Sequence, residues 1–167
     1  MTQQLIGPSF TDELKAYGGL VGQHFTWSPD GTIEFFPDTP ASVVAGVESV
    51  YAAHDPAKIP LLAQAQAALL SGVNIHSAGA PTLDAVYACD PVSQMDIISI
   101  ETGLNAGKGF PGGSTTFGYP DIKGVLHSFS ESNFANFAAA VRDYVYALNS
   151  VVAGAATDLP STPVMIV

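Results

Sequence analysis

The segment Gly103-Leu-Asn-Ala-Gly-Lys108 has the residue types of a phosphate-binding loop, glycines that free backbone N–H groups and a lysine to meet the anion. Its spacing does not suit that chemistry. A phosphate loop sets four residues between its first glycine and the Gly-Lys pair and follows the lysine with Ser or Thr; here three intervene and Gly109 follows. A flexible connector is the better reading. His24, His54, His76 and His127 are spread along the chain and form no His-x-His or His-x-x-x-His pair. His54-Asp55 reads as capping at a helix junction. His76 and His127 fall in expected strands, and a sheet that joined those strands would bring two imidazoles to one ion. No Gly-x-Ser-x-Gly elbow is present, because Gly112-Gly-Ser114 runs on into Thr-Thr. Cys89 stands beside Asp90 with no neighbouring cation to favour a thiolate, and reads as an inert buried thiol. The carboxylates are dispersed singly, with Asp30 and Asp121 in expected hairpin turns. Nothing therefore marks a catalytic residue, a cofactor site or a metal site, and the expectation is a protein that is not an enzyme.

What remains is surface. Of 167 residues 47% are apolar and only 12% charged, about half the usual charged share. A lone subunit would leave much neutral surface in water, which points to cover by neighbouring subunits. The formal net charge is −10. The basic residues Lys15, Lys58, Lys108, Lys123 and Arg142 are scattered, so no patch is expected to neutralise phosphates, and neither nucleic acid nor an anionic membrane is an expected partner. The single cysteine suits synthesis in a reducing cytoplasm. The start of the chain has no signal-peptide pattern, and no apolar run has the length of a bilayer span, so membrane insertion is not expected.

The elements that would carry this surface are led by the segment from Ser130 to Val152. Phe134, Ala138, Val141, Val145, Leu148 and Val152 recur at spacings of four and three, one face of an α-helix widened by Phe137, Tyr144 and Val151. Ser130 is the expected cap and Gly154 the stop. Upstream, residues 1–8 read as an extended arm, followed by a short helix capped by Ser9 or Thr11 and ended by Gly18-Gly19. His24–Trp27 and Thr32–Phe36 form a hairpin around Ser-Pro-Asp-Gly. Thr39-Pro40 is expected to open a second helix and Asp55-Pro56 a third, which Pro60 kinks or restarts and Gly72 ends. Val73–Ser77 and Leu83–Ala88 read as strands, and Asp90-Pro91 starts a helix to about Thr102. A loop with five glycines follows, then a second hairpin, Ser114–Tyr119 and Gly124–Phe129. The tail, Thr157 to Val167, holds prolines that forbid a helix and ends in four apolar residues.

From about Ala67 the order of features resembles a domain of unknown function found near the ends of bacteriophage tail-fibre and tail-fibre-assembly proteins. The shared pieces are an Ala-rich helix running into Leu70-Ser-Gly-Val-Asn-Ile-His-Ser77, then Leu83-Asp-Ala-Val-Tyr-Ala88. A helix of Ile/Ser/Thr character from Ile97 to Thr102 and Phe110-Pro-Gly-Gly follow. The last piece, Thr116-Phe-Gly-Tyr-Pro-Asp-Ile-Lys-Gly-Val-Leu-His-Ser-Phe129, precedes a long Ala-rich helix. The resemblance covers roughly residues 67–153; where the family often carries a tryptophan, this chain has Phe117 and Tyr119. It implies a virion or fibre-associated context and no catalytic residues.

The expected fold is α+β, about five helices on short antiparallel β-hairpins, with a long C-terminal amphipathic helix and an extended apolar tail. The expected division is an N-terminal lobe over 1–56, a phage-fibre-like domain over 57–154 and an extended arm over 155–167. The expected function is a bacteriophage virion structural protein of the tail or tail-fibre apparatus, assembled in the host bacterial cytoplasm, with other virion proteins as partners. A homo-oligomer is expected, a trimer favoured. Phe134, Val141, Val145, Leu148, Val152, Val164, Met165, Ile166 and Val167 are the candidate assembly residues. The alternatives are a tail-fibre assembly chaperone, a head decoration protein, or a receptor- or polysaccharide-binding module with Trp27, Tyr119 and Tyr146 as its platform.

Overall fold

The computed structural model describes residues 4–167. The first three residues of the expected N-terminal arm lie outside the described residues. The class is α+β, with five α-helices among the described residues, short sheets and a long C-terminal helix. Cα packing divides the chain into two compact units, up to Pro60 and from Leu61 onward.

The N-terminal unit is built around Phe10, the buried residue of a single-turn helix, α1 (Phe10–Glu13). Its ring meets Trp27 at 5.4 Å, Tyr51 at 6.2 Å and His54 at 5.0 Å, each edge-on. Strands β1 (Phe25–Trp27) and β2 (Ile33–Phe35) pair antiparallel with Phe25 opposite Phe35 and Trp27 opposite Ile33. The alternation of apolar and polar residues in both strands thus serves one buried face. Gly31 closes their turn at φ 94°, donating its N–H to the Ser28 carbonyl at 3.0 Å. Helix α2 (Ala41–Ala53) contributes Val47 and Tyr51 to the core.

Three sequence expectations change here. Ser9 caps α1 with no side-chain bond; its hydroxyl donates instead to the Glu13 carboxylate, 2.9 Å away. Thr39 is not the cap of α2, because its hydroxyl donates to the His24 carbonyl, and Pro40 occupies the cap position. Asp55-Pro56 opens no helix. The Asp55 carboxylate accepts the Ala57 N–H at 2.9 Å and the Asp55 carbonyl accepts the Lys58 N–H at 3.0 Å, an Asx turn that satisfies those donors locally.

In the C-terminal unit α3 (Leu61–Ser71) starts directly after Pro60. Gly72, at φ 90°, turns the chain from α3 into β3 (Val73–Ser77). β4 (Ala85–Tyr87) pairs antiparallel along one edge of β3, Val73 opposite Tyr87. β7 (Val164–Ile166) pairs parallel along the other edge, Ile75 aligned with Val164 and Ser77 with Ile166. α4 (Pro91–Asn105) is capped by Asp90, whose carboxylate accepts the Val92 and Ser93 N–H groups at 2.9 and 3.3 Å. β5 (Thr116–Pro120) and β6 (Leu126–Ser130) form the second hairpin. Its turn is tied by the Asp121 carboxylate, which accepts from the N–H groups of Lys123 and Val125.

Helix α5 (Glu131–Val152) runs through the middle of this unit, against α3 on one side and α4 on the other. Ser130 accepts the Asn133 N–H at 3.2 Å, the expected cap. Of the residues that its period marks, Phe134, Phe137, Ala138, Val141, Tyr144, Val145, Leu148 and Val151 are buried, while Val152 at the end of the helix is exposed. Phe134 and Phe137 join Tyr87, Tyr119 and Phe129 in one aromatic cluster with ring centroids 4.7 to 6.4 Å apart.

Gly72 is the tightest joint of this unit. A Cβ there would lie 2.5 Å from the Tyr87 carbonyl oxygen, and the positive φ adds strain for any L side chain. Gly72→Ala is expected to lower stability by about 1–2 kcal/mol from the backbone alone, and further through the Tyr87 clash. A shift of the denaturant midpoint at unchanged slope would measure it.

Candidate functional site

Polar side chains that looked capable of chemistry are engaged in holding the fold. Gly107 and Lys108 follow the last turn of α4 and donate their N–H groups back to the carbonyls of Leu104 and Gly103, at 2.9 and 3.0 Å. The segment is therefore a helix C-terminal stop. A phosphate loop needs free N–H groups at a helix N-terminus, the end of opposite polarity.

Three of the four histidines, His54, His76 and His127, each stand beside a different carboxylate. His76 Nδ1 lies 2.6 Å from Asp84, which also accepts the Ser77 N–H at 2.7 Å. His127 Nδ1 donates to the Thr82 carbonyl at 2.7 Å, and its Nε2 stands 3.4 Å from Asp121. The Ser77 N–H holds the Asp84 carboxyl below the usual carboxylate range against some desolvation, with help from His76. Burial acts to raise the Asp121 carboxyl, but the N–H groups of Val125 and Lys123 and the His127 ring outweigh it and hold it low. Both carboxylates border an open cleft of about 340 Å³ that Asn74, His76 and Lys123 also line. Among the described residues no group of three or more His, Cys, Asp or Glu side chains is placed to hold a metal ion. Burial, then the charge of Asp90, pushes the Cys89 thiol up; it is buried and donates to the Leu69 carbonyl at 3.4 Å. Burial, with the charges of Asp96 and Asp90, pushes Tyr119 up to about 12.

Of the candidate assembly residues, Phe134, Val141, Val145, Leu148 and Ile166 are buried within their own unit. Val152 is exposed at the end of α5, and Val164 is half-buried in β7. Met165 and Val167 are exposed. They border an open groove of about 600 Å³ between the tail and α5, floored by Ala139 and Ala140. The tail itself is tied down by the β3–β7 ladder and by Asn136, whose amide donates to the Val167 carbonyl at 2.5 Å. Of the three aromatic residues considered for sugar stacking, Tyr119 is buried and Trp27 packs on Phe10 in the N-terminal unit, while Tyr146 is 74% exposed.

Exposed apolar residues occur along the chain, Ile122, Val125 and Leu126 at the second hairpin among them, and one group shares a helix face on α4. Val92, Met95 and Ile98, three apart and so on one face, are 69%, 68% and 57% exposed. Ile97 on the opposite side is buried, so α4 is apolar on two faces. Beside Ile98, a groove of about 250 Å³ opens between α4 and α5. Its floor is Ile97, Val141 and Val145, its wall Tyr146, and its edge carries Glu101 on α4 and Arg142 on α5. Gln94 and Asn149 are shared with a second apolar hollow of about 440 Å³ that reaches Leu70, so the surface is continuous across three helices. The sequence expectations included its α5 side, Val141, Val145 and Tyr146, but not the α4 residues. The signal was present in the run Val92, Met95, Ile98, which a single helical stripe through Ile97, Ile100 and Leu104 does not absorb.

Among the described residues no helix is long and apolar enough to cross a membrane. No protein-family model, no curated protein and no solved structure matches the chain.

Proposed function

We propose that the chain is a bacteriophage virion structural protein of the tail or tail-fibre apparatus, assembled in the host bacterial cytoplasm and acting through subunit contact, without catalysis. The observation that carries this reading is the uncovered apolar face on α4 and α5, Val92, Met95, Ile98 and Tyr146. The resemblance of residues 67–153 to the tail-fibre domain supplies the virion context. Its partners in this reading are other virion proteins and further copies of itself, a trimer favoured.

Copies suit this face for an electrostatic reason. Each copy carries a net charge of −10, so association is favoured only where the surface is nearly neutral. The α4–α5 groove is bordered by one carboxylate and one guanidinium on opposite helices. In this reading α4 of one copy packs on α5 of the next, an arrangement that sets Glu101 against the Arg142 of the neighbouring copy. Arg142 bonds Asp143 at 2.9 Å on an exposed surface, where an ion pair contributes little.

Light scattering on the full chain tests this. Arg142→Glu is expected to weaken self-association by about tenfold or more, because it sets like charges across the contact. The double exchange Glu101→Arg with Arg142→Glu is expected to restore it. A wild-type monomer at all concentrations would overturn the self-assembly reading. Absence of the protein from purified particles by mass spectrometry would favour the assembly chaperone.

A further inference from the structure

His54 closes α2, and its imidazole is completely buried. Nδ1 lies 2.7 Å from a Glu13 carboxylate oxygen, and Nε2 accepts the backbone N–H of Gly7 at 2.8 Å. An amide N–H can only donate, so Nε2 must carry its lone pair and the ring proton sits on Nδ1. The ring is neutral and in one tautomer.

We propose that His54 is a proton-operated latch for Gly7, the end of the segment Gln4–Gly7: neutral, its Nε2 holds the Gly7 N–H; protonated, it lets Gly7 go. A proton on Nε2 would set two donors face to face where the imidazole has no exposed surface, and the cost of an unmatched buried donor forces them apart. The helix end fixes His54, so Gly7 is the side that moves. Gly7 can sit there only because it lacks a Cβ, which would lie 2.0 Å from the Pro56 carbonyl oxygen.

The charged groups facing the ring decide which of its two bonds breaks. From α1 the ring faces Glu13, which also accepts from Ser9 and lies 3.4 Å from the Lys58 ammonium; the Phe10 ring covers it edge-on. Asp55, next in the chain, turns its carboxylate to the Ala57 N–H. Burial works against the Glu13 charge, but the hydrogen bonds from His54, Ser9 and Lys58 outweigh it and hold the carboxyl below its ordinary range. Glu13 thus stays an anion under conditions in which a histidine gains its proton. The imidazolium keeps its Glu13 bond and loses the one to Gly7. The stability that the Gly7 bond supplies belongs to the neutral ring, so it is present at high pH and lost as the pH falls. The Glu13 pairing, with a depressed carboxyl, is lost only in stronger acid. Gln4, whose N–H donates to the Tyr51 hydroxyl at 2.8 Å, and Ile6, whose N–H donates to the Pro29 carbonyl at 2.9 Å, then hold the segment without its central tie.

Amide hydrogen exchange of the full ¹⁵N-labelled chain, read by NMR from about pH 8 to about pH 5, tests the latch. After correction for the intrinsic pH dependence, the Gly7 amide is expected to lose about tenfold or more of its protection as the pH falls. The amides of Phe25 and Val47 in the same unit are expected to keep theirs. In His54→Gln, which cannot take up a proton, Gly7 protection is expected to be flat with pH, whether high or low. The ¹⁵N shifts of the wild-type imidazole give a second reading, with the proton on Nδ1 at high pH, and decide the matter if the variant does not fold. Unchanged Gly7 protection across the range in the wild type, a proton on Nε2 at high pH, or the same pH response in His54→Gln would overturn the proposal.

Discussion

Phe137→Ala is expected to destabilise the C-terminal unit by about 3–5 kcal/mol. Phe137 has no exposed surface, and its ring meets Tyr87 at 4.7 Å, Phe129 at 5.1 Å and both Phe134 and Tyr119 at 5.6 Å. Removing it takes away the transfer energy of one large side chain and leaves a hole that four rings on three strands and a helix must partly refill. Those rings already fix one another edge-on, so collapse is limited and the loss lies toward the upper end of that range. Phe137→Leu keeps most of the volume and is expected to lose less than half as much. Chemical denaturation followed by near-ultraviolet circular dichroism reports on these aromatics directly. A loss below about 1 kcal/mol for the alanine variant would show that Phe137 is not in the core.

Deleting residues 160–167 is expected to have an effect of similar size. The sequence placed Val164, Met165, Ile166 and Val167 among the candidate assembly residues. In the structure the tail is the third strand of its own sheet: β7 lies parallel to β3, and Ile166 is buried. Truncation exposes the β3 edge, including the Ala78 N–H that the Ile166 carbonyl accepts at 3.1 Å, and uncovers the core beneath Ile166. A cost of about 3–5 kcal/mol follows, with Ile166→Ala alone accounting for about 2–4 of it. Thermal melts of the two variants measure this. If the truncated chain melts with the full-length protein while its mass in solution falls, the tail serves contacts between copies instead.

Where the determinants are local, the sequence was a good guide. Helix α5 was legible because its buried residues repeat at the helical period and its cap, Ser130, is adjacent. The Asp90-Pro91 start of α4 was legible for the same reason: an N-cap acts on N–H groups two and three residues away. Asp55-Pro56 shows the same pair of types doing something else, since there the Asp carboxylate closes a turn and no apolar period follows at once. The partners of His54 lie 41 and 47 residues away, and no spacing rule connects them. The apolar outer face of α4 was hidden by its inner face, because a helix apolar on both sides has no clear stripe. The partner of the tail was hidden too: a three-residue strand that pairs parallel has no hairpin turn to announce it.

That parallel pairing also sets the order in which the C-terminal unit can form. Val164 aligns with Ile75, with α4, the second hairpin and α5 between them in the chain. Closing so long a loop adds little to the equilibrium cost, since each doubling of length adds only about 0.6 kcal/mol, but the encounter is slow. β3 and β4 meet across a short turn and α5 forms on its own period, so both precede it. During refolding there is an interval in which β3 is paired on one side only. In that interval a tail from another molecule can take the place of the chain's own, so yield on refolding should fall as protein concentration rises.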